Sequence, residues 1–275
     1  AAFITFLLLG IEELGLQNSH GAASPAEHRS AERQLEDAKT PLLGPAGKTT
    51  FRSCVMRASY LAQDDPSIGD AVKCLTRCMQ GPNEAIWRIL TRLAKYLKSH
   101  PLTANMMEEQ QMPTAIRNYV DTDHAGDAIT RRSTTGLATR LGRHTVKTSS
   151  NLQSTVSMSS GESEWYGMVK GAAIGLGLQS LPADWGLELE VIVLSDSSAA
   201  RGFSQRVGLG KMRHVQTRYL WLQERVKEGH IRVLAIRGKN NPADLLTKSL
   251  SGKMIEKFMK TLGFETVVDS GGRHK

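Results

Sequence analysis

Residues Glu190–Ser195 are an unbroken run of strand length, mostly apolar and rich in β-branched side chains. Such a run suits a strand covered on both faces, which places it inside a sheet flanked by helices. Its surroundings read the same way. Ile116–Asp123, Thr135–Arg140 and Thr145–Ser149 have the length and composition of short strands, and Gly142-Arg143 supplies a turn between the last two. Short links between them imply an antiparallel meander. Gly161–Gly177 fits a helix, with Ser159 or Ser160 as its N-cap and Glu162 and Glu164 in its first turns. Beyond the buried strand come a short helix at Ser197–Ser204, an amphipathic helix at Val215–Lys227, an alternating strand at Ile231–Ile236 and a last helix at Ala243–Leu250 opened by Pro242. The order β-β-β-α-β-α-α-β-α specifies an α/β domain built on a mixed five-stranded sheet with helices on its faces.

Upstream of this region the periodicity is helical. Residues 51–62 and 68–81 carry apolar side chains at helical spacing, and Asn83 can cap a helix over Ala85–Ser99, where Ile86, Ile89, Leu90, Leu93, Tyr96 and Leu97 share one face. Residues 17–50 are polar and interrupted by Gly and Pro, with a short helix expected at Ala26–Ala38. The chain thus divides into an upstream segment and linker (1–50), a helical segment (51–112), the α/β domain (113–252) and a C-terminal helix and tail (253–275). The apolar run Ala1–Ile11 is about half of the ~20 residues that a membrane-spanning helix needs and lacks a basic leader, so no membrane role is expected of it.

Composition narrows the setting. Among 275 residues, 35 Lys and Arg face 27 Asp and Glu, a net charge of +8 that favours a polyanionic partner. An odd count of three cysteines, Cys54, Cys74 and Cys78, argues against a disulfide-stapled fold and for a reducing, intracellular compartment. Cys74 and Cys78 lack further partners at zinc-site spacing.

Four acids stand where α/β sheets carry chemistry, at the carboxyl ends of strands and on the helices above them. Asp121 lies in the first strand, Glu164 on the following helix, Asp196 at the end of the buried strand and Asp244 at the start of the last helix. If the first and fourth strands are neighbours, Asp121 and Asp196 lie side by side. Carboxylates so gathered raise one another's pKa, and a divalent cation removes that cost. All-oxygen donors suit Mg²⁺ or Mn²⁺ rather than Zn²⁺. Taken singly, an Asp at a strand end is more often a cap, and a Glu in a first helical turn usually complements the dipole. The signal lies in the order of all four.

Several stretches also carry a family resemblance: Tyr119-Val-Asp-Thr-Asp-His-Ala-Gly126, Arg131-Arg-Ser-Thr-Thr-Gly136, Val156-Ser-Met-Ser-Ser-Gly-Glu-Ser-Glu-Trp-Tyr166, Leu194-Ser-Asp-Ser-Ser-Ala199, Arg213-His214 and Ala243-Asp-Leu-Leu-Thr-Lys248. In this order they resemble the ribonuclease H domain of copia-type retrotransposon Pol polyproteins. Upstream, Tyr60-Leu-Ala-Gln-Asp-Asp-Pro66 and Arg92-Leu-Ala-Lys-Tyr-Leu97 resemble the segment joining reverse transcriptase to that domain. The resemblance implies a ribonuclease H-like fold, two Mg²⁺ ions (Mn²⁺ substituting) and endonucleolytic hydrolysis of the RNA strand of RNA–DNA hybrids. It implies Asp121, Glu164, Asp196 and Asp244 as catalytic and metal-binding residues, preferred over Asp123 and Glu162. It also implies an upstream reverse-transcriptase palm as partner in a parent polyprotein, and a cytoplasmic particle or the nucleus as location. His124 stands where the family usually has Trp, and Gly161 where a more helix-compatible residue is usual. No palm motif with paired Asp occurs, so polymerisation is not expected of these residues.

Binding is expected from the basic residues clustered around the late helix and strand, Arg213, Arg218, Arg225 and Lys227 among them, which could track phosphates without reading sequence. A solvated helix face explains them equally well. His214 is placed either near the metal site or in a structural hydrogen bond. Ser159, Ser160 and Ser197 are candidates for contacts to 2′-hydroxyls, and helix capping accounts for them as readily. Two other functional classes share these features: a catalytically inactive hybrid-binding or connection module, and an integrase- or transposase-type nuclease of the same superfold.

Overall fold

The computed structural model describes residues 10–210 and 214–267, which form two units, one of residues up to Met106 together with those from Lys248 onward and one of Met107–Thr247. Ala1–Leu9 of the apolar run lie outside the described residues, and Ile11 is buried.

The first unit is helical. Helix α1 (Ala31–Asp37) precedes α2 (Pro45–Leu61), α3 (Gly69–Thr76) and α4 (Glu84–Ser99), which surround a core that includes Phe51, Val55, Ile68, Leu75, Leu90 and Leu93. α1 is shorter than the expected Ala26–Ala38 because Ser30 takes the cap, its hydroxyl accepting from Arg33 N. α2 begins earlier than expected, on Pro45 in the first turn, where the missing N–H costs nothing. Asn83 caps α4 through a 3.0 Å bond from Ile86 N. Strand β1 (Thr103–Asn105) closes this stretch.

The second unit holds strands β2 (Ala115–Asp123), β3 (Thr134–Leu141) and β4 (His144–Leu152), helix α5 (Ser160–Ala183), strand β5 (Glu190–Ser195), helices α6 (Ser198–Ser204) and α7 (Trp221–Lys227), and strand β6 (Ile231–Ala235). The sheet order is β4-β3-β2-β5-β6, antiparallel through β4, β3 and β2 and parallel through β2, β5 and β6. This is the ribonuclease H-like mixed sheet that the sequence implied. Val120, Leu137, Met168, Val191, Val193 and Ile231 fill its core, where Trp165 meets Phe203 edge-on at 4.7 Å.

Three glycines, one per helical turn, set the approach of α5 to the sheet. A Cβ on Gly167, Gly171 or Gly175 would come within 2.7 Å of a side chain of β2 or β5. Only hydrogen at these positions lets the helix lie against β2, and Glu164 occupies the next place on the same stripe toward the N-terminus.

Two expected helices are different in form. Val215–Lys227 is broken into a 3₁₀ turn at Thr217–Tyr219 followed by α7. β-branched Val215 and Thr217 disfavour a helix start, and Val215 turns into the core while Tyr219 packs on Tyr166 at 4.6 Å. Ala243–Leu250 is a 3₁₀ segment, Pro242–Leu246. Asn241 Nδ2 donates to Val120 O at 2.8 Å and Thr247 Oγ1 donates to Asp121, so both ends of the segment are tied to β2.

After Thr247 the chain rejoins the first unit as helix α8 (Gly252–Leu262), ended by Gly263 at φ 82°, and strand β7 (Phe264–Thr266), which pairs antiparallel with β1. Among the described residues, no helix is long and apolar enough to cross a membrane.

Candidate metal centre

β2 and β5 run parallel, and the last paired residues are Tyr119 and Leu194. Two positions further along each strand stand Asp121 and Asp196. The strand register therefore puts Asp121, not Asp123, level with Asp196. Glu164 arrives from the first turns of α5. One carboxylate oxygen from each of Asp121, Glu164 and Asp196 lies within 4.8 Å of the other two. Asp121 and Glu164 are buried, and Asp196 is half-buried. Asp244, half-buried on the 3₁₀ segment, is not among the three.

The electrostatics follow from this packing. Burial, and next the charge of Asp121, push the Glu164 carboxyl up to about 8; Asp196 adds to the rise and hydrogen bonds from Thr122 oppose it. Glu164 Oε2 is buried with no hydrogen-bond partner. Three carboxylates gathered this closely are costly to hold ionised together, and a hard divalent cation is a group that all three could hold.

A second layer of contacts fixes Asp121. Thr247 donates its hydroxyl to Asp121 Oδ2. Gly136, paired with Asp121 across the β2–β3 ladder, allows this: a Cβ there would lie 2.7 Å from both Ala243 O and Thr247 Cγ2. Neither residue is a sequence-level candidate, although both fall inside motifs quoted above. A hydroxyl two turns along a polar motif gives no sign of its target until the segment is folded onto β2.

Glu162 has a different role from Glu164. It accepts from Tyr166 Oη at 2.6 Å, from Met158 N at 2.9 Å and pairs with His214 Nε2 at 2.8 Å. Burial alone would raise its carboxyl, but those hydrogen bonds prevail and hold it below the usual range. His214 is thus placed in a hydrogen bond with a helix carboxylate outside the triad.

The remaining candidates are dispersed. Ser159 accepts from Glu162 N and Ser197 from Ala200 N, each as an N-cap, while Ser160 is the exposed first residue of α5. Arg218 is exposed and lies over the Tyr219 ring at 4.9 Å. Arg225 pairs with Glu228 at 3.1 Å, and Lys227 is exposed. Arg213 lies outside the described residues.

A mixed α/β unit with a carboxylate triad at the carboxyl ends of adjacent parallel strands defines a ribonuclease H-like class. Sequence comparison shows similarity to retroelement polyproteins. The chain is 25% identical over 260 residues to the retrovirus-related Pol polyprotein from transposon TNT 1-94 of Nicotiana tabacum, covering 93% of this chain and 19% of that protein. It is 29% identical over 227 residues to the corresponding polyprotein from transposon RE2 of Arabidopsis thaliana, covering 82% and 16%. Over most of its length the chain is similar to copia-type retrovirus-related Pol polyproteins, and it spans less than a fifth of the length of these relatives. No family model matches it. A foamy viral protease-reverse transcriptase solved in complex with dsDNA is similar at a TM-score of 0.44 and 10% identity, over 77% of this chain and 42% of that one.

Proposed function

We propose that this retroelement-derived chain carries a metal-dependent ribonuclease H that cleaves the RNA strand of RNA–DNA hybrids. The observation that carries the reading is the approach of Asp121, Glu164 and Asp196 within 4.8 Å, with Glu164 Oε2 buried and unpartnered. Asp121 and Asp196 would be the central ligands of Mg²⁺, with Glu164 and Asp244 flanking. Two such ions, when bound, supply an acidified attacking water and stabilisation of the leaving oxygen. The protein's own contribution is positional. The β2–β5 register sets the spacing of the two aspartates, α5 lowers Glu164 onto them, and Thr247 holds one Asp121 oxygen in place. Glu164 would give up its proton to hold a cation. Arg218 and Lys227 would meet the phosphate backbone and set the hybrid's register without reading bases.

The test is cleavage of an end-labelled RNA–DNA duplex, set beside double-stranded DNA, with Mg²⁺ and with excess chelator. Hybrid-selective, chelator-sensitive cleavage is expected. Cleavage of both duplexes would indicate an integrase- or transposase-type nuclease, and binding without cleavage a hybrid-binding module.

A further inference from the structure

The first unit contains a cavity of about 410 Å³ walled by the loop before α1, by α1 and by residues of α3 and α4. That volume lies within the roughly 300–1,000 Å³ of small-ligand pockets. The acids Glu27, Asp37 and Asp70 line it together with Arg29, Arg33, Arg88 and Arg92. Buried Asp37 is shared by three of them: Arg33 Nε at 3.2 Å, Arg29 Nη1 at 3.4 Å and Arg88 Nη2 at 3.8 Å. Glu27 pairs with Arg92 at 2.5 Å, and Glu36 reaches Arg33 at 3.7 Å from an exposed position. Asp70, also on the wall, is bonded to Lys73 at 2.6 Å.

Asp37 is shared by three guanidinium groups, and with Glu27, Glu36 and Asp70 set against Arg29, Arg33, Arg88, Arg92 and Lys73 one positive charge is left in excess around the cavity, in surroundings less polar than water. Its hydrogen-bond donors are in surplus too. A guanidinium has five N–H donors. The contact of Arg88 with Asp37 is too long for a hydrogen bond, and its side chain is 57% exposed. Arg92 Nε is buried without a partner. Surplus charge and unused planar donors around one concavity are the chemistry that takes an oxyanion, and the guanidinium fork matches phosphate in bidentate geometry.

We propose that this cavity binds a phosphate group, either a free anion or a phosphate of a nucleic-acid strand. The proposal is independent of the carboxylate triad, which lies in the other unit. It is tested by calorimetric titration of the whole chain at low salt, in chelator, with inorganic phosphate and separately with a short single-stranded DNA. Saturable binding is expected, weakened about tenfold in Arg88→Gln, as for the loss of a hydrogen bond to a charged group. Lys260→Gln, exposed on α8, should bind as the unaltered chain does and serves as the control for net charge. Displacement of phosphate by the DNA assigns the group to a strand; failure to displace it assigns a free anion; both support the site. Because Arg88 is largely exposed, Arg88→Gln should fold, and circular dichroism verifies this. Binding of neither probe, or binding unchanged in both Arg88→Gln and Arg33→Gln, overturns the proposal.

Discussion

Thr247 donates its hydroxyl to an Asp121 carboxylate oxygen, joining residues 126 positions apart. The bond ties the 3₁₀ segment to β2 at the point where Asp121 meets Glu164 and Asp196. Thr247→Val keeps the shape and removes the donor. A hydrogen bond to a charged group is worth about 1.5–3 kcal/mol, so denaturant unfolding should show a loss of that order. Thr247→Ser should recover most of it. Equal stability of the Val and Thr proteins would mean that the bond does not hold the segment.

Gly136→Ala tests the same contact from the opposite strand. The added methyl would lie 2.7 Å from Ala243 O, a backbone atom that can yield only if the segment moves. Overpacking of this kind costs about 1–3 kcal/mol. Hybrid cleavage should fall further than stability alone explains, because Thr247 is carried away from Asp121. A variant with native cleavage would show that the close approach is dispensable.

Glu164 makes stability depend on pH and on metal. Its ordinary value is 4.5 and burial raises it to about 8 in the folded chain. Between those values the folded state keeps a proton that the unfolded state loses. In chelator, stability should therefore fall as pH rises through this window, by at most roughly 1.4 kcal/mol per pH unit from this group. Glu164→Gln should flatten that slope. Metal must displace the same proton, so Mg²⁺ affinity should climb with pH and level off near 8. Affinity independent of pH from 6 to 8, to about a factor of two, would remove Glu164 from the ligand set.

The basic surface of the second unit is unequal. Arg225 is paired with Glu228, whereas Arg218 and Lys227 have no acidic partner among the contacts of the described residues. Removing Arg218 and Lys227 together should flatten the log–log salt dependence of hybrid binding by up to ~0.9 per lost phosphate contact, and Arg225→Ala should matter least. A slope unchanged in the Arg218→Ala, Arg225→Ala, Lys227→Ala triple variant would make this a solvated face.

Much of the fold is legible in local pattern. Glu190–Ser195 is legible as a strand because its centre, Val191, Ile192 and Val193, is β-branched and buried. Asn83 and Ser159 announce their helices because a cap is a local interaction. The 3₁₀ segment at Pro242–Leu246 is not legible, since its length is set by Asn241 and Thr247 reaching β2, a tertiary constraint that no local propensity encodes. The same holds for the carboxylates. Asp121 and Asp123 share a strand face and are equivalent in sequence spacing; only the pairing of Tyr119 with Leu194 puts Asp121 level with Asp196. Glu162 and Glu164 differ because Tyr166 and His214 claim Glu162, and that contact depends on a chain segment 52 residues away.

The most direct test of the carboxylate site is hybrid cleavage by Asp196→Asn, with Asp123→Asn as control. Asp196→Asn keeps the side chain's shape and removes a charge that would hold the metal, and it lessens repulsion in the metal-free site, so the protein should be no less stable in chelator. Cleavage of a labelled RNA–DNA duplex in Mg²⁺ should fall by several orders of magnitude, since metal positioning supplies most of the transition-state stabilisation in phosphoryl transfer. Hybrid binding should largely survive, and Asp123→Asn should retain most activity. A folded Asp196→Asn protein that cleaves the hybrid at the unaltered rate would contradict the account.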